Sequence, residues 1–255
     1  MPSAGSNFWF EVEDASPANR ELADIIRELE RSSPGGEAID WEENRAQSAA
    51  ILFSVAGSEK SLALTHRLDG VESARVGDEH DLLAVEDQPE RIFKATHSDV
   101  FGCKAYFSPH DPDLTGKYFH GTGCSDPLFY LRRWMLLNWL SGFQTRFEGF
   151  LPPEPGLRLP RMCVSQPQLD GYNPSIRQIR EGLAQYGFEP ISEHAYLQRA
   201  TKILLTDAAP RNVWVVDGIP VPFDAIAEIA SPRVIAWVEG TGDLAEWRHD
   251  HSKLQ

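Results

Sequence analysis

The chain has 255 residues, 42% of them hydrophobic and including 7 Trp and 13 Phe, enough for one large domain or a two-lobed unit with a real core. Its formal net charge of −14 argues against nucleic acid or an anionic membrane as partner, since both need a basic surface. A bound nucleotide would need local positive charge or a metal to offset that repulsion.

No apolar run approaches the ~20 residues of a membrane-spanning helix. The opening MPSAGSNFWFEVEDASPANR lacks the basic start and apolar core of a signal peptide. Cys103, Cys124 and Cys163 are odd in number and far apart, the usage of a reducing compartment. These features read as a soluble cytoplasmic protein.

In chain order, Asn19 to Arg31 predicts an amphipathic helix, with Leu22, Ile25, Ile26 and Leu29 on one face. Ser32 to Gly36 breaks it. Residues 1–48 are expected to form an N-terminal extension packed on the main body. From Ala49 the pattern turns strand-like, as AAILFSVAG, SLALTHRL, DLLAVED and ERIFKATH. Turns at Gly57-Ser58, Asp69-Gly70, Gly77-Asp78 and Asp87-Gln88-Pro89 separate these runs, which predicts an antiparallel sheet.

Ser125-Asp126-Pro127 marks a helix start, with a capping residue and Pro near the first helical position. The helix PLFYLRRWMLLNWLSG is apolar almost all round and is expected to be buried, with Trp134 and Trp139 in the core and Gly142 at its end. A strand RMCVSQPQL follows, then a helix from Ser175 to Tyr186 closed by Gly187. Arg233 to Val238 reads as a last short strand, before a polar tail from Gly240.

The chemistry concentrates in KILLTDAAPRNVWVVDGIPVPFDAI, Lys202 to Ile226. Asp207 and Asn212 have the D-x-x-x-x-N spacing of a kinase catalytic loop. Between Asn212 and Asp224, an Asp217-Gly218 turn joins two apolar runs, a strong hairpin signal. Such a hairpin returns Asp224 to Asn212, and an amide oxygen beside a carboxylate suits Mg²⁺. Asp207, one loop away, would orient or deprotonate an attacking hydroxyl. The plainer account of each residue is a local backbone cap.

Other signals are weaker. Lys94, in the strand RIFKAT, matches a phosphate-contacting strand lysine, though a lysine ending an edge strand is more often just solvated. Gly77-Asp78-Glu79-His80, before the strand DLLAVED, reads as what remains of a phosphate-covering loop without the G-x-G-x-x-G pattern. His97, Cys103, His110, His120 and Cys124 cluster in sequence, yet their spacing fits no structural zinc pattern. Gly121-Thr122-Gly123 reads as the approach to a helix rather than an anion cradle.

Together GDEH, RIFKATHSDVFG, YLRRWMLLN, VSQPQLDG, QYGF, LLTDAAPRNV and GIPVPFDAI resemble the kinase-like domain found in polyvalent proteins of phages and mobile elements. That branch lies near the aminoglycoside phosphotransferase-like kinases, and the resemblance runs from Gly77 to Ala227. It implies an α+β, two-lobed protein-kinase-like fold. An antiparallel β N-lobe with a buried helix would span 49–164, and a short, mainly helical C-lobe 165–255. It implies ATP and Mg²⁺ as cofactors and a protein or small-molecule phosphate acceptor. Lys94 would bind phosphates, and Ser165, Gln166 and Pro167 would form the hinge whose backbone contacts adenine. Asp207 would be the catalytic base, while Asn212 and Asp224 would coordinate Mg²⁺.

The chain departs from the family pattern. Leu205-Thr206-Asp207 replaces His-Arg-Asp, Ala225-Ile226 follows Asp224 in place of Phe-Gly, and no Ala-Pro-Glu segment follows. The helix Pro127 to Leu140 holds no Glu for Lys94, and Asn138 is its one uncharged polar substitute. These losses motivate an alternative, a nucleotide-binding or inactive pseudokinase acting as an interaction module. A third reading is a scaffold whose acidic surface binds a basic partner.

Overall fold

In the computed structural model the described residues are 5–32, 59–68, 71, 73–76, 79–98, 100–108, 118–123, 126–157 and 159–240. They fall into two units, Met1–Lys104 with Gly123–Tyr172, and Ala105–Thr122 with Asn173–Gln255. The fold is mixed α+β with antiparallel sheets.

Unit 1 opens with helices α1 (Gly5–Asp14), α2 (Pro17–Ser32) and α3 (Glu59–Arg67), then strands β1 (Ser73–Val76), β2 (His80–Leu83) and β3 (Arg91–Thr96). Helix α4 (Pro127–Ser141) and strands β6 (Arg146–Leu151) and β7 (Arg161–Pro167) complete it. The sheet order is β1-β2-β3-β7-β6, every neighbouring pair antiparallel. Alternation along β3 divides its side chains between two faces. Phe93 and Ala95 join Leu64 of α3, Leu83, Val85, Leu151 and Cys163 in one apolar cluster. Lys94, between them, points to the other face, where it meets Trp134 of α4.

Helix α4 is capped as its sequence demands. The Asp126 carboxylate accepts from the Leu128 and Phe129 amides at 2.8 and 3.3 Å, and Pro127 occupies the first turn. Gly142, at φ 68°, ends it with a bond to the Asn138 carbonyl. It is buried nearly all round because α2 packs on it through a face of Leu22, Ala23, Ile26 and Leu29. A buried amide pair fixes that contact. Asn19 Nδ2 donates to the Val12 and Met135 carbonyls at 2.7 and 3.1 Å, and Asn138 Nδ2 donates to Asn19 Oδ1 at 2.9 Å. Asn138 also bonds the Thr145 carbonyl and amide at 2.9 and 2.8 Å. The expectation that Asn138 substitutes for a lysine partner is therefore corrected: its amide holds α2 and the turn after α4.

Unit 2 contains helix α5 (Ile176–Gln185) and strands β8 (Phe188–Ser192), β9 (Ala195–Gln198) and β10 (Ile203–Thr206). A 3₁₀ turn (Pro210–Asn212), strands β11 (Trp214–Val216), β12 (Ile219–Val221) and β13 (Ile226–Ile229), and helix α6 (Pro232–Glu239) follow. The main sheet runs β13-β10-β9-β8, β11 pairs with β12, and β4 (Cys103–Phe107) pairs with β5 (Phe119–Gly123). The expected mainly helical second lobe is corrected, since among the described residues this unit is built on sheet.

Two further expectations change. SLALTHRL lies in helix α3, with Leu64 turned to the core, because a short apolar run satisfies either period. Arg233 to Val238 lies in helix α6, where Ser231 caps the Val234 amide and Val234, Ile235 and Val238 face Leu197 and Leu204. Gly121-Thr122-Gly123 precedes helix α4 as expected, but it does so as the end of strand β5. Strand β6 escaped the sequence reading because a bulge between Phe147 and Gly149 breaks its alternation. AAILFSVAG lies outside the described residues. No helix among the described residues is long and apolar enough to cross a membrane.

Candidate functional site

In unit 2 the site grows from the end of β10. Asp207 follows Thr206 with φ 51°, a left-handed conformation that costs a non-glycine residue roughly 1–2 kcal/mol. The surrounding loop supplies the compensation. The Ala208 amide donates to the His194 carbonyl at 3.0 Å, anchoring the bend. Asn212 Nδ2 donates to the Asp207 carbonyl at 2.9 Å and to its Oδ2 at 2.7 Å. Arg211 Nη2 reaches the other carboxylate oxygen at 2.6 Å. That ion pair is largely exposed, 70% at Arg211 and 40% at Asp207, so solvent screens it and an incoming group can replace it.

The hairpin behaves as its turn residues require. Asp217 and Gly218 have φ of 51° and 79°, the double positive pattern that matches strand twist. Trp214 pairs with Val221 and Val216 with Ile219. The return leg brings the Asp224 amide to the Asn212 carbonyl at 3.3 Å. Asp207, Asn212 and Asp224 thus come together along one loop and hairpin. With Nδ2 turned to Asp207, the Asn212 amide keeps Oδ1 as its metal-type end, and Asp224 adds a carboxylate. Two hard oxygen donors fit Mg²⁺ better than a thiolate- or imidazole-seeking metal.

In unit 1 Lys94 is 5% exposed, with its ammonium 5.6 Å from the Trp134 ring. Arg133 of α4, 1% exposed, lies over the same ring at 4.8 Å. Arg133 Nη1 donates to Glu79 Oε1, and the Cys103 amide donates to that oxygen at 3.0 Å. His80 Nε2 stands 2.9 Å from the Tyr130 hydroxyl and 3.7 Å from Glu79 Oε1. Burial, helped by the Glu79 charge, pushes the Tyr130 phenol well above its ordinary range. Gly102 makes this crowding feasible: at φ 74°, a Cβ there would sit 2.5 Å from Glu79 Oε1 and 2.6 Å from the Tyr130 ring.

Glu79 and Arg133 were missed as a pair by sequence reasoning. The available signal was an arginine inside a helix otherwise buried all round, which requires a carboxylate from elsewhere.

Ser165, Gln166 and Pro167 form the end of β7, a central strand. The Ser165 hydroxyl accepts from Arg91 Nε at 2.8 Å and donates to Glu148 at 2.5 Å, while Arg91 Nη2 takes the Ser165 carbonyl at 2.9 Å. Burial lowers the Arg91 pKa. Gln166 Nε2 donates to the Thr145 hydroxyl at 3.2 Å. Pairing with β6 ends at Ser165, whereas pairing with β3 continues through Pro167. His97 lies 3.4 Å from Asp81, which also pairs with Arg161 at 2.5 Å. His110 and Cys124 lie outside the described residues.

No protein-family model, curated protein or solved structure matches the chain.

Proposed function

We propose that the chain is an ATP- and Mg²⁺-dependent phosphotransferase of protein-kinase-like fold, transferring to a protein or small-molecule hydroxyl. The observation that carries this reading is the loop in which Asn212 ties both the main chain and the carboxylate of Asp207, while its own carbonyl receives Asp224. Support also comes from element order: strands, buried helix, two strands, helix, three strands, Asp207 loop, hairpin, Asp224.

Mg²⁺, when bound, would supply positive charge against that of the phosphates. Asn212 Oδ1 and Asp224 would hold it. Lys94 supplies a buried cation for phosphate, worth more there than in water. Asp207 exchanges its exposed Arg211 contact for an acceptor hydroxyl, orienting it and taking its proton. Gln166 and Pro167 would present main-chain groups to the base.

Asp207→Ala should lower transfer by roughly 10²–10⁴-fold while sparing nucleotide binding. Asp224→Ala should lose the Mg²⁺-dependent part of ATP binding in calorimetry. Transfer retained by Asp207→Ala would remove Asp207 from the reaction. A second reading is an inactive nucleotide-binding interaction module, favoured by Arg133, which sits beside Trp134 on α4 where a carboxylate would steer the lysine. ATP binding with no transfer to any acceptor would select it.

A further inference from the structure

Two cations share one indole in unit 1. The Lys94 ammonium and the Arg133 guanidinium lie 5.6 and 4.8 Å from the Trp134 ring. Both residues are almost fully buried, so their mutual repulsion is poorly screened and a nearby anion is strongly favoured. The chain supplies one itself, the Glu79 carboxylate on Arg133. Glu79 comes from the turn before β2 and is the more accessible partner, 15% exposed against 1% for Arg133. Gly102 lets it approach, since any side chain there would collide with Glu79 Oε1. A carboxylate and a phosphate offer a guanidinium the same pair of acceptor oxygens.

Resting on the phosphotransferase reading, we propose that Arg133 is a second phosphate-binding cation beside Lys94, and that Glu79 occupies its guanidinium as an internal competitor. The nucleotide's phosphates displace Glu79 and take over the bond. Here the helix provides the cation and the hairpin turn the carboxylate. Binding is thereby restricted to ligands with enough anionic oxygens to outcompete a tethered carboxylate, which favours di- and triphosphates over nucleosides.

The test is calorimetry with Mg²⁺-ATP and with inorganic tripolyphosphate, on the natural chain, Glu79→Gln, and the double variant Glu79→Gln/Arg133→Met. Glu79→Gln keeps an oxygen for the Cys103 amide and removes only the charge. The double variant removes both charges of the ion pair at once, so neither Glu79 nor Arg133 is left buried without the other, and thermal melts verify folding. Glu79→Gln should bind both ligands roughly tenfold tighter. The double variant should lose that gain and fall below the natural chain. Unchanged or weaker binding by Glu79→Gln overturns the proposal, as does a double variant that matches it. ATP binding indifferent to Glu79 would overturn the proposal and leave the phosphotransferase reading standing. Tighter tripolyphosphate binding without any ATP binding would uphold the anion site and sink the phosphotransferase reading. No binding of either ligand to the folded proteins would sink both.

Discussion

Asp207 shows how one residue's cost is offset by its neighbours. Its left-handed backbone is unfavourable, yet the Asn212 amide makes two bonds to it and Pro210 stiffens the turn between them. A hydrogen bond to a charged group contributes about 1.5–3 kcal/mol, enough to outweigh the strain. Asn212→Ala should therefore lower stability by about 1–3 kcal/mol, read as a fall in the urea midpoint. A midpoint equal to that of the natural chain would mean the loop is held by other contacts. Glu79 and Arg133 make the complementary point: the arginine in a buried helix signals that a carboxylate is needed, but which one arises only from contact across 54 positions.

Among the elements, close packing of α5 on the β11–β12 hairpin sets how firmly the Asp224 leg is supported. Ser175 and Gln178 form a capping box that starts α5, a signal readable from sequence. Gly182, in its middle, looks like a defect by propensity alone. A Cβ there would meet Pro220 Cγ and Cδ at 2.5 and 2.8 Å, and the proline ring cannot turn aside. Gly182→Ala adds about 1 kcal/mol of helix propensity but costs about 1–3 kcal/mol in overpacking. The melting temperature should consequently fall, and a rise would show that the hairpin yields. Helices α3 and α6 illustrate the opposite limit. Their apolar runs were short enough to pass as strands, and the burial of Leu64 and Val234 decided the matter.

At the scale of the whole molecule, each unit has its own apolar cluster, one around Phe93 and Cys163, the other around Leu197 and Leu204. Burial pushes the Cys163 thiol far above its ordinary value of 9.0. The folded state therefore keeps the proton that the unfolded chain releases, so this contribution is intact below pH 9.0 and declines as pH rises. The decline should approach about 1.4 kcal/mol per pH unit once the unfolded thiol is ionised. Tyr130, raised in the same direction, adds to it above its ordinary 10.0. Urea midpoints between pH 8 and 11 should fall less steeply for Cys163→Ala than for the natural chain. Parallel curves would place the alkaline loss elsewhere.

Local features were legible directly. The caps of α4 and α5, the Asp217-Gly218 hairpin, and the meeting of Asp207, Asn212 and Asp224 all arise within one short stretch of chain each, where backbone geometry and turn chemistry dominate. Only the tertiary structure decided the rest. Asn19 meets Asn138 across 119 positions, Glu79 meets Arg133, and the bulged β6 joins β7. Such pairings depend on which faces are buried together and which charges must be compensated there, and no local pattern encodes either.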